Sequence, residues 1–182
     1  MLTSTLNALS VFPLQLEMCF VAFPPAARHW APPDWIGILA EPFTAIEQLC
    51  HLRDTEIDGY LPRLARTLNE DRPWLPALDR QRSGAARGHD LVHADAVLGE
   101  FRSARARTVQ LIAALDEAQL QRSAEFEGVG PVTLRGLVHL LCSHAQQHLA
   151  GLQWLLARYD ARHLHVSSGR VDSRAAPSVS PT

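Results

Sequence analysis

The stretch from Thr133 to Arg158 constrains this chain more than any other, because it reads as one long helix with a polar interruption in its buried face. Leu134, Leu137, Leu141, Leu152 and Leu155 recur at the three-and-four spacing of an apolar stripe. At roughly 100° per residue, His144 and His148 fall within about 20° of Leu137, close to the centre of that stripe. His139, on the same helix, falls on the opposite side. A ring buried there without a partner costs roughly 1–3 kcal/mol, so something inside the fold should meet the pair. The ordinary reading is two core histidines bonded to a carbonyl or a carboxylate. The sharper one is a cation, since imidazoles at i and i+4 on one face reach a single ion.

Three more amphipathic segments precede it. Residues 5–23 predict a first helix with Leu6, Leu9, Leu16, Phe20 and Phe23 as its stripe and Pro13 as a kink point. Pro24-Pro25 ends it, and the Pro-rich run 29–35 carries Trp30 and Trp35, which pack over a bundle end or rim a pocket. Residues 43–68 predict a second helix, kinked near Gly59 by Pro62 or restarted there. His51 lies on its flank, roughly 100° from the stripe's centre, beside Glu47, Asp54 and Asp58. A helix packed against two neighbours buries a wide arc, so a flank residue can still face a cleft. Residues 70–93 form a long connection rich in Arg, Pro and Gly, long enough to return the chain to its starting end. The third helix runs from about Ala94 to Leu115, with Arg102, Arg105 and Arg107 as a solvated face. Residues 116–130 are a connector, and Thr133 caps the last helix.

Four helices with a long second connection predict an all-α, four-helix bundle, and that connection is long enough to let the second and third helices run parallel. The domain would span residues 1–160, followed by a flexible tail over 161–182, which carries His163 and His165. A length of 182 residues with 47% hydrophobic content suits one core. The net charge of −2, with all 17 basic residues Arg, leaves no basic run for nucleic acid. Neither a leader nor a membrane-length apolar segment is evident, and Cys19, Cys50 and Cys142 lack metal spacing. A cytoplasmic protein with free thiols is expected.

Taken together, EQLCHLRDTE (47–56), the Arg-rich third helix, the G-x-x-T-L run and the later His-x3-His resemble the DinB-like, or YfiT-like, metal-binding proteins over roughly residues 5–158. The resemblance implies an up-down-down-up bundle with a divalent metal, commonly zinc or nickel, held by three histidines. Carried over, these are His51, His144 and His148. Three protein ligands with one open position are the mark of a catalytic rather than a structural site. The family includes transferases that use low-molecular-weight thiols such as bacillithiol or mycothiol, and resembles thiol-dependent maleylpyruvate isomerases.

The implied chemistry is a thiol S-transferase or a hydrolase, in which the metal activates a thiol or water toward a small-molecule electrophile. Asp54 would be the catalytic carboxylate, orienting the His51 ring or acting as a base. It reads equally as a helix-surface partner of Arg53 or Arg63. Glu47 is a weaker candidate for the same role, and Asp90 and His93 could approach from the crossover. The rival readings are a metal-binding bundle without catalysis in stress or metal handling, and a helical interaction protein whose histidines only pack. Bundles of this type often pair through a helix face, so a homodimer is an expected partner.

Overall fold

The computed structural model describes residues 2–78 and 93–168, with side chains through His163 at the C-terminal end. Asp90, most of the long connection, the His165 side chain and the tail beyond Ser168 lie outside the described residues.

Helix α1 (Thr3–Val21) buries Leu9, Phe12, Leu16 and Phe20, and runs unbroken through Pro13. The second helical segment comes in three joined parts. Helix α2 (Ala45–Asp54) starts at a capping box, where the Glu47 carboxylate accepts from both the backbone N–H and the hydroxyl of Thr44 at 2.8 Å. It passes into a π-helical turn (Thr55–Tyr60) and then into α3 (Leu61–Asn69). In that turn the Leu61 N–H reaches back five residues to the Glu56 carbonyl. Pro62, which has no N–H to give, is thus absorbed by a widened turn rather than a break.

Helix α4 (Ala94–Ala113) packs on α1 and α2, and α6 (Leu134–Ser168) closes the bundle, extending past the expected end at Arg158. The Thr133 hydroxyl accepts from the Gly136 N–H at 3.0 Å, the expected cap of α6. Side-chain pairs fix the directions. Arg53 bonds Glu100 and Glu56 bonds Arg105, so α2 and α4 run parallel. His51 meets His144 while Gln48 meets His148, so α2 and α6 are antiparallel. This is the four-helix bundle with parallel second and third helices that the long connection allows and the family resemblance implies.

The connector 116–130 holds more than a turn. It contains the short helix α5 (Glu117–Leu120) and strand β2 (Ser123–Phe126), which pairs antiparallel with β3 (Gly130–Thr133). The two-residue strand β1 (Trp74–Leu75) adds in parallel to β2. Arginines tie this small sheet to α3: Arg63 donates to the Pro76 carbonyl at 2.7 Å, Arg66 to that of Trp74 at 2.8 Å, and Arg122 to that of Thr67 at 2.9 Å.

Two apolar clusters fill the interior. One gathers Phe12, Phe20, Leu49, Phe101, Ala145 and Leu152. The other gathers Leu9, Leu64, Leu75, Ala124, Leu137 and Leu141 beneath the sheet. On α6 the boundary between them falls between Leu141 and Ala145, and His144 sits there.

The Arg-rich face of α4 departs from expectation. Arg102 and Arg107 are exposed, but Arg105 is 2% exposed and bonds the equally buried Glu56 at 2.8 Å. Residue 105 stands next to Ala104 and one turn from Phe101 and Thr108, so its stem lies in the apolar stripe. Its guanidinium stacks against Phe12 and Phe101. The tryptophans of the Pro-rich loop pack. Trp35 stacks on Trp154 and Trp30 meets Tyr159 edge-on, both on the later turns of α6.

Candidate metal centre

The three histidines converge from two antiparallel helices. His51 Nε2 and His144 Nε2 face each other at 3.2 Å. The His148 ring centroid lies 4.7 Å from that of His51 and 4.6 Å from that of His144. His51, a flank position on an ideal wheel, is half-buried because α2 sits between α4 and α6, with the Phe43 ring 5.3 Å from its own. The Thr55 hydroxyl stands 3.3 Å from His51 Nε2, at the first residue of the π-helical turn.

His148 is fully buried. Its Nδ1 lies 3.2 Å from the Gln48 side-chain oxygen. Its Nε2 lies 3.2 Å from Glu41 Oε2, but at angles that make no hydrogen bond, so this buried nitrogen is left without a hydrogen-bond partner among the described residues. Glu41, His51, His144 and His148 each offer a ligand atom within 4.8 Å of all the others.

Burial, reinforced by His148 and His51, pushes the His144 pKa down to about 3, so its imidazole is neutral at pH 7 with a lone pair to give. The His148 contact holds the Glu41 carboxyl at about 2, well below the usual carboxylate range. Burial drives the neighbouring thiol of Cys50 up to about 11 and the Tyr60 hydroxyl up to about 12, which removes both as nucleophile or base near neutral pH. The three cysteines are free.

The donor set fits a divalent cation. Imidazole nitrogens about 2.0–2.1 Å from zinc stand roughly 3.3 Å apart across a tetrahedron, and the observed His51–His144 separation is 3.2 Å. Three imidazoles and one carboxylate suit zinc, nickel and related borderline ions alike. The buried unpartnered Nε2 of His148 is the atom such an ion would satisfy.

Of the residues singled out from sequence, His51, His144 and His148 come together. Asp54 stands outside the ligand cluster. It is buried rather than a surface residue, and accepts from Arg53 Nε at 2.6 Å. Glu47 is committed to the cap of α2. His93 lies elsewhere, at the start of α4, in a pocket of about 300 Å³ with Arg28, His29 and Asp95. His163 is exposed, with Nδ1 2.8 Å from the Tyr159 carbonyl.

Two residues of the site escape a sequence reading. Glu41 lies in an irregular loop, where no periodicity reports its direction, although an acidic residue just before the Pro42-Phe43-Thr44 helix start is a faint signal. Gln48 is fully buried among Ala45, Ile46, Leu49 and Leu52, and a polar amide on that face of α2 was a signal to be read.

Helix order and ligand cluster together define a four-helix bundle able to hold a divalent cation between α2 and α6. The chain belongs to the DinB superfamily, whose family model matches residues 15–152. Its fold is similar to that of YfiT from Bacillus subtilis, described as a probable metal-dependent hydrolase with an unusual four-helix bundle topology. That likeness covers 87% of each chain at a TM-score of 0.75 and 17% identity. No curated protein sequence matches. Among the described residues, no helix is long and apolar enough to cross a membrane.

Proposed function

We propose that this protein is a metal-dependent enzyme of the hydrolase or thiol-transferase type, with His51, His144 and His148 as the metal ligands and zinc or nickel as the metal. The observation that carries this reading is the meeting of three histidines, one of them with a buried unpartnered nitrogen, around a point also reached by an ionised carboxylate. A divalent cation bound there supplies acidity to a water or small thiol in contact with it.

The chain's own residues do the rest. His144 and His148 are held on one rigid helix, and His51 on its antiparallel partner. Glu41 comes from a loop and is about one-third exposed, so it is the member that an incoming group can displace. Thr55, 3.3 Å from His51 Nε2, offers a hydroxyl at the same edge. The substrate class is a small electrophile, with a low-molecular-weight thiol as co-substrate in the transferase variant.

One observation favours a second reading, a metal-binding protein without catalysis: Glu41 completes a four-member set. Loading with cobalt separates the two. An exchangeable position lets an added small thiol change the visible spectrum of the cobalt protein, and metal-dependent turnover of an ester or of an electrophile plus thiol follows. A spectrum indifferent to thiol, azide and cyanide, with no turnover, contradicts the enzyme reading and leaves the metal-binding one.

A further inference from the structure

We infer that Gln48 is a positioning residue that commits His148 to the tautomer able to bind a metal, and that Gly151 carries no side chain so that Gln48 can do so. The inference rests on the metal reading above and adds to it a pair of residues that touch no metal.

The local chemistry is closed on one side and open on the other. The Gln48 amide nitrogen donates to the Phe43 carbonyl at 3.3 Å. That bond orients the amide, because the flipped rotamer would set two oxygens against each other. Gln48 Oε1 is thereby turned to His148 Nδ1, 3.2 Å away. An oxygen there accepts only from Nδ1–H, which leaves the lone pair on Nε2, aimed at His51, His144 and Glu41. The opposite tautomer would put a hydrogen on Nε2, where the carboxylate oxygen 3.2 Å away, Glu41 Oε2, lies outside hydrogen-bond geometry. Both Gln48 and His148 are fully buried, so water does not compete for Nδ1.

Gly151 lies one turn beyond His148 on α6. A Cβ at this position would stand 2.9 Å from Gln48 Oε1, 3.2 Å from Gln48 Nε2 and 3.0 Å from the Ala40 Cβ. The amide is bonded at both ends, to the Phe43 carbonyl and to His148 Nδ1, so a Cβ at 151 presses on a group that cannot shift without lengthening one of those contacts. Even the smallest side chain at 151 therefore displaces the oxygen that orients His148. Residues holding the far nitrogen of a ligating histidine typically change metal affinity by about 10–100-fold when removed. A neutral amide keeps the imidazole neutral as well as oriented, whereas a carboxylate would add charge.

The test has two readouts. Nitrogen-15 NMR of the metal-free protein at neutral pH reads the His148 tautomer directly, and Nδ1–H is expected. Zinc titration of the variants reads the consequence. Gln48→Leu and Gly151→Ala should each lower zinc affinity about 10–100-fold and mix the tautomers. Gln48→Glu, which keeps an acceptor, should retain the Nδ1–H form and most of the affinity. Gly99→Ala on α4, where an added Cβ meets nothing within 4 Å, should bind zinc as the wild type does. A wild-type His148 carrying its proton on Nε2 overturns the inference without any variant, and so does wild-type zinc affinity in folded Gln48→Leu. Wild-type protein that binds neither zinc nor nickel overturns the metal reading instead, and the tautomer measurement still decides the role of Gln48.

Discussion

Two clusters among the buried polar side chains of this bundle are built on opposite principles. Arg105 and Glu56 carry opposite charges, meet at 2.8 Å and have aromatic rings over the guanidinium. That pair supplies its own counter-charge, and its remaining buried polar atoms, Glu56 Oε1 and Arg105 Nε and Nη1, have no hydrogen-bond partner among the described residues. The cluster of His51, His144 and His148 brings ring nitrogens toward a common point, with one imidazole resisting protonation down to about pH 3. Its only anion, Glu41, is half-buried at the edge. The comparison teaches that burial of polar groups does not by itself mark a site. Opposite charges in contact balance each other, whereas ring nitrogens gathered around one point with a single carboxylate at the edge make a candidate place for a cation.

The largest effect separates the two groups on stability. Breaking the Arg105–Glu56 pair from one side, as in Glu56→Leu, leaves a buried charge and should cost about 3–5 kcal/mol in urea unfolding. The double replacement Glu56→Leu with Arg105→Met should recover most of that loss. A double variant as unstable as the single one would show that the pair does more than balance itself.

Next in size is the response to acid. The His144 pKa is lowered from 6.5 to about 3 in the fold, so below pH 6.5 the unfolded chain takes up a proton that the native state refuses. Stability of the metal-free protein is therefore whole above pH 6.5 and lost progressively as pH falls toward 3. The loss should be on the order of 2 kcal/mol by pH 5. Glu41, lowered from 4.5 to about 2, adds a further loss below pH 4.5. In His144→Leu the slope between pH 6.5 and 4.5 should flatten, and an unchanged slope would place the titration elsewhere.

A smaller effect, of the opposite sign, should appear in the same variant at pH 7. Replacing an imidazole that lacks its cation by Leu should leave the metal-free protein as stable or more stable by roughly 1 kcal/mol, while zinc binding is lost. A metal-free His144→Leu that unfolds more easily by several kcal/mol would make the histidines core residues after all. The smallest change belongs to Glu41→Gln. At pH 7 its unfolding midpoint should move little, and its zinc affinity should fall less than that of His148→Ala, as expected for the displaceable member of the set.

How far the sequence reached follows from the same physics. His144 and His148 were legible because one uninterrupted helix converts spacing into direction. His51 was not legible from its wheel, since its burial depends on α2 being flanked by two helices, and the family resemblance supplied it. Glu41 was hidden because its loop is placed by contacts remote in sequence, the Trp35–Trp154 stack and the Asp34–Arg158 ion pair. Arg105 was misread as solvated because a charge on an amphipathic helix says nothing of a partner 49 residues away. The small sheet escaped since its strands, of two to four residues, are too short for an alternation to stand out.

The most direct measurement is an anomalous-difference map from crystals of the wild-type protein grown with zinc or nickel. One peak per chain is predicted, within bonding distance of His51, His144 and His148, and it should vanish in His148→Ala. A map with no peak among these three side chains, in protein shown to be folded, would contradict the metal centre on which the proposed function stands.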